Sequence, residues 1–554
     1  MEFHLTFDFG DDVLYAEQDW DERWLRQLVE EYARRGIGAL HWIHSHDIKA
    51  GLEAGSARNR YSAFLRNVPD PLAVIADESH KNGMRCFSVL KINDRCLGMP
   101  FTPGPVAESV GDDASIDFLG GRAVMYTDWL RDHPEMRAEL HPSLMEQPPR
   151  RPLGRIRLWH EQSGLSPSAF KIYTSRDNAN YRPYTGPQQI SFSERKHRQR
   201  VFTPAPEVSY GPEGIFTCVE FSGLDIAEPF IAIEAQGATE LTNTLSALVE
   251  LEDIAGNTVA FTYGLAPVMR DLLDESQKDD WRNVGIAFDA AFGTNIPGRG
   301  WHYMSSGGRH RVDLKQRGFI GLARGRNRFV SGVLELAYPQ ARQYCVDSAR
   351  VAIDSGCDGV DIRLNTHTES LDWENYGFGK PILDEFKRRY GVDITRQQFD
   401  RALWRKLRGE YVDQTLLEIG QMLHARGKKL SVQMYDDFEH PSEERCKMEI
   451  YFDWRKWCCS GFVDMATIAG FTWKGNFYGN AVKLCRSKNI PMVMTPAMFA
   501  ANDEDWKRDL PIFLAACERD GFSAFNIYES SAVVRLEKDG LKFRAPSLWK
   551  MIKS

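Results

Sequence analysis

The stretch "PQARQYCVDSARVAIDSGCDGVDIRL", residues 339–364, reads as a helix (339–356) running straight into a strand (358–364). Within the strand, Asp361 and Arg363 share one side, because side chains alternate with period two. Asp358 precedes Gly359 and belongs to the turn that leads in. A carboxylate and a guanidinium side by side near a buried strand are costly unless something pairs or uses them. What they are for depends on what flanks the helix–strand unit.

Upstream, the same alternation opens the chain. "FHLTFDF" (3–9) has β character and precedes "DERWLRQLVEEYARRG" (21–36), where Trp24, Leu25, Leu28, Val29 and Tyr32 fall at helical spacing and Gly36 supplies a stop. "GALHWIH" (38–44), the helix "DPLAVIADESHKNG" (70–83) and "MRCFSVLKI" (84–92) follow. From about 150 to 330 the rhythm changes to short, turn-bounded runs with period two, among them "GRIRLWHE", "AFKIYTS", "GIFTCVEF" and "PFIAIEA". This predicts an inserted all-β sandwich, to which the glycine-rich segment 281–330 is attached. Downstream of 364, a helical stretch at 396–426 leads to "KLSVQMY" (429–435), and "FVDMATI" (462–468), "PMVMTPAMF" (491–499) and "SAFNIYE" (523–529) alternate with further helices. Eight strands separated by helices predict an α/β fold, a (β/α)8 TIM barrel interrupted after strand three. The expected division is 1–149 for the first part of the barrel, 150–330 for the sandwich and 331–554 for the remainder. A doubly wound sheet is disfavoured because no Gly-rich phosphate turn follows the first strand.

Composition excludes several classes. With 69 Lys and Arg against 77 Asp and Glu, the net charge is −8, and no basic face for nucleic acid is expected. The local basic cluster "SERKHRQR" (193–200) reads as a solvated loop. Ten cysteines without CxxC spacing suggest neither a zinc ribbon nor a disulfide framework. No apolar run reaches membrane-spanning length, and "MEFHLTFDFG" enters a strand at once without a signal-peptide pattern. A cytoplasmic protein and a secreted one with its leader removed both fit.

In a (β/α)8 barrel the active site lies at the C-terminal ends of the strands. Those ends carry Trp42 and His44 on strand two, Lys91 on three, and Asp361, Arg363 and His367 on four. Strand five brings Tyr435 and Asp436, Trp473 follows six, and eight ends in Tyr528 and Glu529. An arginine beside Asp361 would keep it ionised, which suits a nucleophile or a charge stabiliser. Two carboxylates, one acid and one base or nucleophile, are the minimum equipment for glycoside hydrolysis. Trp42, Trp473, Tyr435 and Tyr528 could offer faces on which sugar rings stack, although each alone also suits a core. Asp436, Glu439 and His440 could instead hold a metal, but the chain has no HExxH spacing.

"RDHPEMR" (131–137), the stretch 334–364 and "YGFGKPILDEFKRRYGVDI" (376–394) resemble the family-10-like glycosyl hydrolases, bacterial (β/α)8 proteins. The insertion looks like a galactose-binding-type sandwich, often carbohydrate-associated. The resemblance implies a carbohydrate-active hydrolase with its strand-four acid at Asp361. Retaining barrels with paired glutamates carry Asn-Glu on strand four and Glu on strand seven, whereas this chain has Asp361 and "VMTPAMF" there. The α-amylase-like barrels, with a strand-four aspartate near an arginine and a strand-five acid, suit Asp361 with Asp436, but their arginine precedes the aspartate. The second carboxylate is thus Asp436 or Glu529. Arg363, His367, His44 and Lys91 would hold sugar hydroxyls, and these cations suit an anionic glycan. No cofactor is required, no membrane or nucleic-acid partner is expected, and a homo-oligomer is compatible. The rival readings are a carbohydrate-binding protein on an inactive barrel and a metal-dependent lyase or isomerase.

Overall fold

The computed structural model describes residues 1–8, 16–43, 68–93, 133–145, 151–160, 166–176, 182–201, 209–235, 248–257, 328–364, 373–435, 447–469, 476–496 and 503–553, with short pieces at 12, 64, 67, 129, 259, 262–263, 294–296, 300–302, 311–312, 319–323 and 438. Eight parallel strands close into a barrel: Glu2–Asp8, Ile37–Ile43, Arg85–Lys91, Gly359–Arg363, Lys429–Tyr435, Met465–Ala469, Met492–Thr495 and Ala524–Tyr528. Strand one pairs with both strand two and strand eight, for example Thr6 with His41 and with Tyr528, which seals the ring. No edge is left for another chain to pair with.

The helices form because their apolar residues recur on one face and their ends are capped. In Glu22–Arg34 the buried residues are Leu25, Leu28, Val29 and Tyr32, and the Asp21 side chain accepts from the Trp24 amide at 2.8 Å. Asp70 caps Pro71–Lys81 in the same way through the Ala73 amide. Burying such side chains contributes about 1.5–3 kcal/mol each, and a cap about 1 kcal/mol. Among the described residues no helix is long and apolar enough to cross a membrane.

Period two along each strand separates outside from inside. Leu40, Trp42, Val360, Ile362, Val432 and Ile527 belong to the large core shared with the helices. Ala39, Phe87, Met465, Val493 and Ala524 form a separate cluster within the barrel. The alternate positions toward the strand ends are polar: His41, Asp361, Arg363, Gln433, Thr467 and Asn526, all buried. A barrel interior is a packed core, so these polar groups must satisfy one another.

The barrel floor uses one device twice. Asp358, just before strand four, accepts from the Cys86 amide (2.8 Å) of strand three and from His80 (3.0 Å) at the end of the helix Pro71–Lys81. Asp464, before strand six, accepts from the Leu430 amide (2.7 Å) and from His424 (2.8 Å). Each carboxylate ties the start of the preceding strand to the helix that leads into that strand.

Between barrel strands three and four lie two antiparallel sheets. One orders Thr262–Tyr263, Phe319–Ala323, Phe230–Ala235, Phe170–Ser175 and Arg182–Pro183. The other orders Leu248–Asp253, Leu153–His160, Ser209–Ile226 and Gln189–Val201. Ile156, Leu158 and Phe221 from one sheet and Phe170, Ile172 and Ile231 from the other share a single core, which makes a sandwich. One expectation changes here. Residues 193–200 are strand, not loop: they pair with Ser209–Ile226, as in Arg195 with Phe216 and His197 with Gly214. The pairing strand lies beyond the window in which a run of charge is read, so composition alone gave no sign of it. Within 281–330, Thr294–Ile296, Gly300–His302 and Arg311–Val312 form a small sheet of their own, while "VGIAFDAAFG" lies outside the described residues.

Candidate active site

Asp361 sits on the inner face of strand four, in register with Val89 and Ser431 of its neighbours and only 1% exposed. Its Oδ2 accepts from His41 Nδ1 and from Gln433 Nε2, both at 3.0 Å. Gln433 is in turn fixed by Tyr435, whose hydroxyl donates to its Oε1 at 2.7 Å. Asp361 Oδ1 is buried and has no hydrogen-bond partner among the described residues. Burial pushes this carboxyl upward, but the hydrogen bond and charge of His41, with the hydrogen bond of Gln433, outweigh it and hold Asp361 below the usual carboxylate value. The group is therefore an ionised acceptor at neutral pH.

The support continues beneath it. His41 Nε2 lies 3.0 Å from His4 Nδ1 on strand one, and His4 Nε2 lies 3.2 Å from Glu2 Oε2 at the start of that strand. Arg85 on strand three pairs with Glu2. Burial lowers the His4 imidazole from 6.5 to about 4, against the opposing effect of its hydrogen bond to Glu2. Glu2 is lowered as well, first by its hydrogen bond with His4.

Above Asp361, two cations stand side by side. Arg363 and Lys91 are register partners on strands four and three, each 8% exposed. Arg363 Nη1 donates to the Tyr528 hydroxyl at 2.9 Å. Tyr528 ends strand eight and Glu529 follows, only 6% exposed and accepting from Ser531 Oγ at 3.3 Å. The adjoining Ser530 donates to Asp12 Oδ2 at 2.6 Å, so the segment after strand eight is tied to the one after strand one.

Of the side chains singled out from the sequence, Asp361, Arg363, Lys91, Tyr435 and Tyr528 occupy this inner face and the strand ends, with Glu529 immediately beyond. Trp42 does not. It is fully buried on the outer face of strand two, with its ring centroid 4.6 Å from that of Phe7 in the core behind the barrel wall. A stacking platform there is corrected by the parity of the strand: Trp42 faces the helices because its neighbour His41 faces in. His44, His367, Asp436 and Trp473 lie outside the described residues, as do Glu439 and His440. His41, His4 and Gln433 were not singled out from the sequence. Their signal was present as polar residues alternating with apolar ones, in "FHLTF" and "LSVQMY".

The "YGFG" motif has a different job. Tyr376 and Phe378 are buried, and Phe378 stacks on Trp404 at 4.8 Å. Gly377 takes φ +96° with the Arg408 guanidinium where a Cβ would stand, so only glycine fits. Arg408 donates to the Met448 and Glu449 carbonyls, and Arg405 makes a two-pronged pair with the Glu449 carboxylate at 2.7 and 3.0 Å. The motif is an anchor for the chain returning after strand five.

No family model matches the sequence, and no curated protein sequence matches it. The family-10-like resemblance thus finds its barrel here but no matching model. Among solved structures the chain is similar to the rhamnosidase from Novosphingobium sp. PP1Y, with a TM-score of 0.33 and 10% identity over 96% of this chain and 55% of that one. It is also similar to Aspergillus fumigatus Ega3 in complex with galactosamine, with a TM-score of 0.18 and 13% identity over 48% and 72% of the two chains. The chain spans about half the length of the rhamnosidase. Neither likeness is close enough to transfer a residue's role.

Proposed function

We propose that the chain is a glycoside hydrolase acting on an oligo- or polysaccharide, with Asp361 as nucleophile or charge stabiliser. The observation that carries this reading is the setting of Asp361: buried inside a closed barrel, with Oδ2 held by His41 and Gln433 and Oδ1 without a donor among the described residues. A buried acceptor left unpaired costs about 1–3 kcal/mol, and a reacting group is one thing that can complete it. Cleavage of a glycosidic bond asks for such a carboxylate beside the positive charge that develops at the sugar ring, and for a second carboxyl that protonates the leaving oxygen. Glu529, which follows the tyrosine that Arg363 holds, is proposed as the second carboxyl. Asp436 is the alternative from the sequence. Arg363 and Lys91, with the hydroxyls of Tyr435 and Tyr528, would grip sugar hydroxyls or the acid groups of an anionic glycan. His44, His367 and Trp473 are assigned to substrate on sequence grounds. The sandwich, taken as 150–330, would add carbohydrate binding, and the chemistry calls for no cofactor.

Reducing-end release from a panel of neutral, uronic and sulfated glycans tests the reading, with release expected from the wild type on at least one of them. The slight exposure of Asp361 favours a second reading, in which the carboxylate is structural and the mouth only binds sugar. Glycan binding by calorimetry without release of reducing ends would establish that reading and overturn the hydrolase.

A further inference from the structure

We infer that His41 is a positioning residue standing beneath Asp361 as an imidazolium, donating from both ring nitrogens, and that Glu2 on the barrel floor keeps it so through a neutral His4. The inference rests on the reading of Asp361 as the working carboxylate. It follows from counting protons along one chain of contacts: Glu2 to His4 at 3.2 Å, His4 to His41 at 3.0 Å, and His41 to Asp361 at 3.0 Å. Both ends are carboxylates, which only accept when ionised, and both are held below their usual range. Three hydrogen bonds between two carboxylates and two imidazoles need three ring protons, whereas two neutral rings carry two. One ring is therefore cationic. The Arg85 guanidinium, 3.3 Å from His4 Nε2, opposes a second cation on His4, whereas His41 faces the Asp361 carboxylate at 3.0 Å, which places the charge on His41.

The surroundings agree. The His41 ring lies over Phe87 at 5.1 Å and 17°, a geometry in which an aromatic face attracts a cation. The groups that face this chain are Glu2 and His4 from strand one, Arg85 from strand three, Asp361 from strand four and the neutral Gln433 from strand five, with Lys91 and Arg363 one inward position further along. Arg85 also comes within 3.3 Å of His4 Nε2. That contact would demand a bare Nε2 facing a carboxylate, and Arg85 is already paired with Glu2. A cation fixed under Oδ2 keeps Asp361 charged and weakly basic. It then serves as nucleophile or charge stabiliser and never as the proton donor.

The test is a long-range proton–nitrogen NMR spectrum of the full chain labelled with nitrogen-15 histidine, the His4 and His41 signals being assigned from His4→Asn and His41→Asn. At about pH 7, two protonated ring nitrogens are expected on His41, and one, Nε2, on His4. A single protonated nitrogen on His41 overturns the inference. In Glu2→Gln, a change at a side chain that is 39% exposed and so tolerable to the fold, His41 should lose its second proton at about tenfold higher proton concentration. An unchanged titration removes Glu2 from the scheme. Neither arm uses a sugar. A neutral His41 in an active hydrolase overturns the ion pair alone, and an imidazolium in a protein that releases no sugar overturns the hydrolase alone.

Discussion

Burial lowers the His4 imidazole from 6.5 to about 4, and this makes it a source of acid lability. In the unfolded chain the ring takes up its proton near pH 6.5, while in the fold it resists until about pH 4. Between those values the unfolded state binds more protons, so stability is complete above the window and declines as pH falls through it, by roughly 3 kcal/mol in all. Glu2 and Asp361, both lowered, act in the same direction further down: their contributions hold above the unfolded carboxylate values and disappear as pH falls through the folded ones. His4→Gln should flatten the loss of denaturation midpoint between about pH 6.5 and pH 4. An equally steep loss in the variant would mean that His4 does not carry it. The same side chains show how sequence reading meets its limit. Asp361 and Arg363 were legible because their strand is short and its parity unambiguous. On strand two, Trp42 drew attention by its size, yet the inward position belongs to His41, and nothing within seven residues tells the two faces apart.

Helices were legible because their signals lie among near neighbours, such as the apolar spacing of Trp24, Leu25, Leu28, Val29 and Tyr32 and the stop at Gly36. The anchor behind strand five was not, since it joins "YGFG" to arginines about thirty residues away and to Glu449 beyond them. Its motif was distinctive enough to suggest a family, but what it does is structural. Gly409 in the helix Arg401–His424 tests how tight the anchor is. A Cβ there would stand 1.9 Å from the Tyr451 carbonyl oxygen, a backbone atom that cannot swing aside. Gly409→Ala should cost about 1–3 kcal/mol or more in urea unfolding, despite alanine's better helix propensity. An unchanged or higher midpoint would show that the return segment yields easily.

Taken whole, the molecule has a barrel core and a sandwich core with no residue in common. The barrel was legible because strand–helix alternation is periodic and its count of eight is diagnostic. The insertion was legible as β from its period two, but its strand order comes from pairings between distant segments that no local pattern encodes. Separate cores should unfold as separate calorimetric transitions. Phe221→Ala, which empties a fully buried site of the sandwich, should cost about 3–5 kcal/mol and lower one transition while the other stays in place. Both moving together would show that the two units fold as one. The barrel also gives Asp361 its meaning, since the sheet brings His41 and Gln433 to it from strands two and five. The most direct test is the turnover of Asp361→Asn beside the wild type, on whichever glycan the wild type cleaves and with both proteins shown to be folded. A fall on the order of 10³-fold or more is expected when a group that meets the reacting carbon loses its charge, and turnover close to that of the wild type would contradict the assignment of Asp361 to the chemistry.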